Sequence, residues 1–431
     1  MKRNRKIAVS CLLVLAMVCG MTGCTTYNNF KAAFFPGDKV AQEKTIKIGI
    51  YEATSGKLSE QGKQEVMGIE LANELYGTVL DKKVELIYGD NQSSMYVGET
   101  VIQELISQNP SVILGSCGET VTLIASDYTK AASIPAITIS STNPLITANN
   151  EFYFSATFEE TRQGDALADY AYTGRGKDVV ATVKMQNDDT ATATIKRFTN
   201  RMKKLSGDSK CIVGSYELPA DSGDYTQVIE AIRESGAKAV FLALQPAAAQ
   251  AFLQQAVDLR LTHVTWLGER SWNNEDLMDF IKSQPKLDVA YPSDFSQKVS
   301  TSRTEEFVQA YKKKYGEDME PSEATAIAFD AYLLALQAIE DAQNMVMELT
   351  EDQVRARYET EATQKAAIAE WKQARETGIP TGRQIKMMLE QIENFNGASG
   401  IISYSGKNEA TKSITINYIS GGEEQTAYVV G

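Results

Sequence analysis

The stretch VILGSCGETVTLIASDYTKAASIPAITI, residues 112–139, decides the fold. It contains two short apolar runs, at 112–115 and 134–139, separated by a segment with apolar residues at helical spacing over 120–132. This pattern predicts a strand, a helix and a second strand. Two short strands joined by a helix are typical of a parallel crossover, so we predict a parallel sheet covered by helices.

The same alternation continues on both sides of this stretch. Strands are predicted at 46–50, 84–88, 178–185, 211–217, 239–244 and 264–268, and helices lie between them. The pattern begins a second time near residue 161. We therefore predict an α/β fold of two doubly wound parallel-sheet lobes, in which ligands collect beyond the carboxyl ends of the strands.

The first residues predict export and a lipid anchor. Four basic residues within positions 2–6 precede an almost wholly apolar run over 7–21, the layout of a signal peptide. The run closes with Met-Thr-Gly-Cys at 21–24, which resembles the lipobox of bacterial lipoproteins. We therefore expect cleavage before Cys24, lipidation of its thiol and attachment to the cell membrane. The polar residues that follow, up to 44, are interpreted as a flexible tether.

Composition excludes several other functions. A formal net charge of −13 without a basic patch in the body argues against nucleic acid as a partner. His263 is the only histidine, and no CxxC pair occurs, so no metal site and no Ser/His/Asp triad is expected. Neither GxSxG nor a P-loop is present, and we expect neither a cofactor nor enzymatic activity. Cys117 and Cys211 fall in different predicted lobes, which favours buried free thiols over a disulfide.

The order of several short motifs resembles one known family. The matching segments are Ile48-Gly49-Ile50, Ser55-Gly56, Gly62, Gly68, Tyr88-Gly89-Asp90-Asn91, Val112 to Gly115, Ile134-Pro135-Ala136-Ile137, Ser140 to Pro144, Leu267-Gly268, Trp272, Phe395-Asn396-Gly397 and Gly400. Together they resemble the substrate-binding proteins of branched-chain amino acid ABC transporters, the leucine/isoleucine/valine-binding family. The resemblance implies the type I periplasmic binding protein fold, with two lobes joined by a three-segment hinge.

The resemblance also implies a division of the chain. We expect a lipoprotein signal peptide at 1–23, a lipidated cysteine and tether at 24–44, the N-terminal lobe at 45–158 and 293–393, the C-terminal lobe at 159–292, and a hairpin at 394–431 that returns to the second lobe. The hinge crossings are expected near 157–161, near 290–295 and before the last hairpin. The charged helical stretch 340–393 is longer than the family needs. It is interpreted either as a solvated helix pair or as a docking surface.

In this family the ligand carboxylate is held by hydroxyls and main-chain N–H groups of the first lobe. The resemblance places this role on the loop Ser140, Ser141 and Thr142, chiefly on the Thr142 hydroxyl and the Ser140 backbone. A serine-rich helix cap is the alternative. A second loop supplies Ser116, Gly118 and Glu119. Glu119 replaces the usual serine, so its carboxylate would instead meet a cationic part of the ligand or a basic residue.

The second lobe normally supplies an acid for the ligand ammonium. The resemblance favours Glu269 for this role, beside Arg270, which would pair with Glu119 across the cleft or bind a second carboxylate. Asp189, Gln245 and, in the first lobe, Gln61 stand where relatives often carry aromatic residues, and Ser55 lies in the same first loop as Gln61. Polar residues suit a hydrogen-bonding ligand better than an aliphatic one. The alternative is that these side chains line solvent.

These features predict an extracytoplasmic solute-binding lipoprotein that captures an amino acid or related small polar compound. Its expected partners are the small-molecule ligand, an ABC permease in the membrane and the bilayer that holds Cys24. One alternative is a ligand-sensing module of the same fold that acts on a receptor. A lipid-anchored hydrolase is a weaker alternative, because the sequence offers no catalytic constellation.

Overall fold

The computed structural model describes residues 45–431, apart from 149, 221, 222, 300 and 426. The predicted signal peptide, the lipidation site Cys24 and the tether lie outside the described residues. Within the described part of the chain, no helix is both long enough and apolar enough to cross a bilayer.

The first sheet is built from the N-terminal part of the chain. Its strands are β1 (Thr45–Glu52), β2 (Thr78–Val79), β3 (Lys82–Asp90), β4 (Val112–Leu114), β5 (Ala136–Thr138) and β6 (Tyr153–Ser155), in the order β2-β3-β1-β4-β5-β6. All neighbours are parallel except β2 and β3. The three-residue strands β4 and β5 are fully buried, as expected for strands covered by helices on both faces.

The second sheet repeats this design. Its parallel part consists of β7 (Val180–Met185), β8 (Ile212–Leu218), β9 (Ala239–Ala243), β10 (Thr265–Leu267) and β11 (Asp288–Ser293), in the order β11-β10-β9-β7-β8. The two parallel sheets confirm the predicted doubly wound α/β class. Cys117, in the loop after β4, and Cys211, directly before β8, are buried free thiols, as predicted.

Helices cover the faces of both sheets. They are α1 (Ser59–Leu75), α2 (Met95–Ser107), α3 (Glu119–Ala132), α4 (Leu145–Ala148), α5 (Arg162–Asp169), α6 (Asp189–Ser206), α7 (Thr226–Ser235), α8 (Pro246–Asp258), α9 (Glu275–Ser283), α10 (Ser302–Tyr315), α11 (Glu323–Glu348), α12 (Glu351–Arg355), α13 (Glu361–Thr377) and α14 (Gly382–Leu389). The long helix α11 is almost entirely buried at its start and packs on α1. A Cβ at Gly68 would lie 2.2 Å from the Thr325 carbonyl oxygen, so glycine permits this close approach.

The C-terminal strands differ from the predicted hairpin. Strands β12 (Phe395–Gly397), β13 (Gly400–Ser403) and β14 (Thr411–Lys412) form a separate three-stranded sheet. Strand β15 (Ile414–Ser420) instead pairs antiparallel with β11, and β16 (Glu423–Glu424) and β17 (Tyr428–Val430) pair with β15. The reason is that β15 is buried on both faces, a pattern that suits an interior strand rather than one arm of an exposed hairpin.

The chain passes three times between the part that packs with the first sheet, which includes the small β12–β14 sheet, and the part that forms the second sheet. The first crossing joins β6 to α5, the second leads from β11 to α10 and α11, which pack with the first sheet, and the third joins β14 to β15. Three crossings agree with the predicted three-segment connection, but the third lies between β14 and β15, inside the predicted hairpin and not before it. The stretch 340–393 forms the end of α11 and helices α12 to α14, and the Trp371 indole N–H donates to the Val346 carbonyl oxygen at 2.9 Å.

Candidate functional site

The candidate site lies where the carboxyl ends of the two sheets' strands approach each other. The first sheet contributes Glu52 at the end of β1 and the loops after β4 and β5. The second contributes the loop after β10, and Asp294 follows β11 directly. Loops of this kind carry ligand sites in open α/β sheets because main-chain donors and polar side chains converge beyond the strand ends.

The loop after β4 is folded against a buried acid. Gly115 adopts φ 116°, and a Cβ there would lie 2.2 Å from the Tyr51 carbonyl oxygen, so only glycine fits. This brings Ser116 and Cys117 onto Glu52: the Ser116 hydroxyl and the Cys117 N–H donate to its Oε2 at 3.3 and 3.1 Å. Two donors of the predicted anion-binding loop are therefore used by a carboxylate of the chain itself.

Glu52 meets a second buried acid, Glu65 of α1. Both side chains are fully buried and are hydrogen-bonded to each other. Burial raises the pKa of Glu52 well above its usual range, and burial raises the pKa of Glu65 to about 7. Glu52 Oε1 and Glu65 Oε2 have no other partner. A proton on Glu52 that is donated to Glu65 satisfies both oxygens, as in other carboxyl pairs that share one proton.

This arrangement predicts a tolerant substitution at Glu52. An amide has the shape and the donor of a protonated carboxyl, so Glu52→Gln should change the free energy of unfolding by less than about 1 kcal/mol at neutral pH. Glu52→Ala should cost about 1–3 kcal/mol, because Ser116 and Cys117 lose their acceptor. Urea denaturation of both variants is the measurement, and equal losses would show that Glu52 is ionised.

The loop after β5 also donates to the chain's own acids. The Ser140 hydroxyl donates to Glu65 Oε1, and the Thr142 hydroxyl donates to Glu160 Oε2 at 3.0 Å. Glu160 lies in the first crossing, so this bond links the loop to the connection between the sheets. The hydroxyl of Ser141 is buried and has no partner. Ser141 and Thr142 also line a small pocket beside the first crossing.

Arg270 is tied to two acids and not to Glu119. Its Nε lies 2.6 Å from Glu323 Oε1, and its Nη2 lies 3.2 Å from Asp294 Oδ2. The Arg270 side chain is 17% exposed, so these contacts are largely shielded from water. Glu119 is exposed at the start of α3. The sequence left two roles open for Arg270, an ion pair with Glu119 or binding of a second ligand carboxylate. The structure does not contain the ion pair with Glu119.

Asp294 joins all three crossings. It is fully buried and accepts a hydrogen bond from the Thr157 hydroxyl of the first crossing at 2.6 Å. The ammonium of Lys412, which lies at the third crossing and is 2% exposed, contacts Asp294 Oδ1 at 2.9 Å. Although burial opposes ionisation, Lys412 and Arg270 hold the pKa of Asp294 below its usual value.

Glu269 has a different environment from these paired acids. It is 6% exposed, and its carboxylate has no hydrogen bond or ion pair with any described residue. Burial raises its pKa to about 8, and repulsion from Glu160 and Asp188 adds to the rise. Nearby, Gln163 is fully buried; its Oε1 accepts the Arg270 N–H at 2.8 Å while its Nε2 has no partner. The site thus contains an unpaired carboxylate and an unpaired amide donor.

The remaining predicted site residues lie nearer the rim. Ser55 donates through its hydroxyl to Asp90 Oδ2 at 2.6 Å and is exposed. Gln61 is half-buried, and its side chain hydrogen-bonds to Glu65. Gly118 precedes α3, while Asp189 and Gln245 lie exposed at the starts of α6 and α8. The structure therefore gathers the predicted residues at the strand ends. Ser116, Gly118, Ser141 and Glu269 are buried, and Ser140, Thr142 and Arg270 are half-buried.

Sequence reasoning missed six polar residues of the site, of which four are buried (Glu52, Glu65, Gln163 and Asp294) and two are half-buried (Glu160 and Glu323). Three of the buried ones carried a recognisable signal. Glu65 occupies the same helical face as the core residues Ile69 and Ala72, so a charge stands at a core position. Glu52 and Asp294 directly follow buried strand residues, which also marks them as strand-end polar groups. In the described part of the chain, no three His, Cys, Asp or Glu side chains are grouped to hold a metal ion.

Two parallel sheets linked by three crossings, with polar loops meeting beyond the strand ends, define a two-lobe solute-binding protein. The chain matches the family described as periplasmic binding protein over residues 45–398, and it belongs to that family. The family description implies an extracytoplasmic location and a role in binding solutes.

Three relatives illustrate the similarity. The Leu/Ile/Val-binding protein homolog 7 of Brucella abortus is 27% identical over 289 residues, which cover 63% of this chain and 71% of that protein. The structure of LivJ from Streptococcus pneumoniae in complex with isoleucine has a TM-score of 0.65 at 22% identity and covers 90% of this chain and 99% of LivJ. A solute-binding protein from Rhodopseudomonas palustris in complex with 3,4-dihydroxybenzoic acid has a TM-score of 0.62 at 19% identity, with coverages of 90% and 98%.

Proposed function

We propose that the chain captures an amino acid or a related small polar compound between its two sheets and delivers it to an ABC permease. The observation that supports this ligand class is the buried Glu269 carboxylate, which lacks a partner at the strand ends of the second sheet. An isolated buried carboxylate is costly, whereas an ammonium or another donor from a ligand would compensate it. The unpaired Ser141 hydroxyl and Gln163 amide would give the same ligand polar contacts.

The proposal includes anchoring to the membrane through a lipid on Cys24. Its support is the basic and apolar start of the chain, which closes on Met-Thr-Gly-Cys. A protein held at the membrane surface remains close to a permease, which raises its effective concentration there. Mass spectrometry of the protein from bacterial membranes should find cleavage before Cys24 and a diacylglycerol on its sulfur. Recovery of an unmodified chain from membranes would contradict the anchor.

Ligand capture is tested by thermal-shift screening of the purified full-length protein against amino acids, amino-acid amides and polyamines. A ligand at 100 times its dissociation constant should stabilise the protein by about 2.7 kcal/mol. If no amino acid or close relative raises the melting temperature, the proposed ligand class is wrong. Delivery is tested by uptake of the labelled ligand in cells without the chain. Uptake should fall, and unchanged uptake would instead favour the sensing alternative.

A further inference from the structure

Most of the side-chain donors in the first sheet's loops already bind acids of the chain itself, and the Ser141 hydroxyl is the exception among the described loop hydroxyls named here. Four donors of the loops after β4 and β5 could in principle hold a ligand carboxylate. The Ser116 hydroxyl and the Cys117 N–H instead donate to Glu52, the Ser140 hydroxyl to Glu65, and the Thr142 hydroxyl to Glu160. A ligand carboxylate that entered these loops would have to displace a buried or half-buried carboxylate of the protein and would face its charge at close range.

The cations near the site are also used. Arg270 contacts Glu323 and Asp294, and Lys412 contacts Asp294. Neither cation is left to neutralise a ligand carboxylate. By contrast, the pKa of Glu269 is raised first by burial and further by repulsion from Glu160 and Asp188, so three acids lie near one another here. The electrostatic balance of the cleft therefore favours a positive ligand.

Two buried groups define what else the ligand would carry. The carboxylate of Glu269, 6% exposed and unpartnered, requires a donor, and a charged one compensates it best. The fully buried Nε2 of Gln163 is a donor without an acceptor, so it requires an oxygen or another lone pair from the ligand. An amide N–H carries no full charge to balance an anion, so a neutral acceptor such as an amide carbonyl suits this buried donor.

From these contacts we propose that the cleft selects organic cations that carry a neutral hydrogen-bonding group in place of a free carboxylate, as an amino-acid amide does. Glu269 holds the ammonium, Gln163 donates to the neutral oxygen, and Glu65 and Glu160 exclude carboxylates by repulsion. Such exclusion is specificity by an unfavourable contact with the wrong ligand, rather than by a better contact with the right one. The inference rests on the proposed function and narrows its ligand class.

The test compares matched pairs that differ only at the carboxylate. Isothermal titration of the full-length protein at neutral pH uses alanine against alaninamide and leucine against leucinamide. Each amide should bind about ten-fold tighter than its parent, or more. If a parent amino acid binds as tightly as its amide, this inference is wrong while the proposed function stands. If both members of both pairs fail to bind and a solute of another class, such as 3,4-dihydroxybenzoate, does bind, both are wrong.

A variant at Glu160 distinguishes charge repulsion of the ligand carboxylate from a steric fit that favours the amide. Glu160→Gln keeps the size of the side chain, removes its charge and leaves an acceptor for the Thr142 hydroxyl. The preference for amide over acid should narrow by about ten-fold, because a ligand carboxylate then meets one negative charge fewer. Glu359→Gln, an exposed substitution in the loop before α13, is the matched control and should leave the preference unchanged. If the folded Glu160→Gln protein prefers the amide over the parent amino acid as strongly as the wild type does, Glu160 does not repel the ligand carboxylate.

Discussion

Replacing Asp294 by asparagine should lower the free energy of unfolding by about 3–5 kcal/mol, the largest stability change that we expect from one substitution in this protein. Asp294 is fully buried and contacts Lys412, which is itself 2% exposed. Removing one partner of a buried ion pair leaves an uncompensated charge in a low-dielectric environment. After the substitution, the Lys412 ammonium keeps a hydrogen bond to the Ser399 hydroxyl at 2.7 Å but loses its carboxylate contact.

The measurement is urea denaturation, with Asp178→Asn as the control. Asp178 pairs with Lys238 at 2.7 Å, but both side chains are more than half exposed, so the loss of this pair should change the free energy of unfolding far less. Adding Lys412→Met to Asp294→Asn should recover part of the stability, because the unpaired ammonium is removed with its partner. A loss at Asp294 no larger than the loss at Asp178 would contradict the buried network.

Replacing Glu269 by glutamine should weaken binding of a cationic ligand by about 10²-fold, and it should stabilise the unliganded protein at high pH. The binding loss follows from removal of the Glu269 carboxylate, which is buried and forms no hydrogen bond or ion pair with a described residue. The gain in stability follows from its pKa, which burial and repulsion from Glu160 and Asp188 raise to about 8. The same charge that would hold a ligand therefore destabilises the empty site.

The contribution of Glu269 to the free energy of unfolding depends on pH. Because the folded-state pKa of Glu269 lies above its unfolded value, the native protein retains a proton that the unfolded chain has lost. The contribution of Glu269 to stability therefore falls as pH rises through this window, at about 1.4 kcal/mol per pKa unit, and the full penalty applies above pH 8. Wild type and Glu269→Gln should be similar near pH 5 and differ by several kcal/mol near pH 9.

Chemical denaturation at these two pH values measures the effect, and Glu359→Gln serves as the exposed control. A cationic ligand should reverse the trend, because it favours ionised Glu269. Its affinity should rise with pH up to about 8 and its binding should release a proton, which titration in buffers of different ionisation enthalpy detects. Equal stabilities of the two proteins at high pH would contradict the unpaired carboxylate.

The fold could be predicted from the sequence because its signals are local. The strand, helix and strand over residues 112–139 follow from apolar spacing alone, and β4, α3 and β5 are found there. The C-terminal hairpin was wrong for a non-local reason. Residues 414–420 alternate as a hairpin strand would, but their partner is β11, more than 120 residues earlier in the chain. Periodicity indicates a strand without indicating which strand it pairs with.

The site was predictable only in part, for the same reason. The loop Ser140–Thr142 could be placed because it follows a predicted strand and parallel strands end at one edge. The hydrogen bonds from its hydroxyls to Glu65 and Glu160 could not be predicted, because those acids lie on a helix and a crossing that are far away in the chain. Arg270 likewise finds Glu323, 53 residues away, instead of Glu119. Pairing among charged groups depends on the assembled tertiary structure.

The meeting of Thr157, Asp294 and Lys412 has a mechanical consequence. Three separate connections converge on one carboxylate, so a rotation of one sheet relative to the other has its axis close to that point. Atoms near an axis are displaced least, and these bonds can persist while the distant loops sweep apart. We therefore expect Asp294 to lie on the hinge axis. The two sheets would then open in one direction only, and each closure would return Glu269 to the same position.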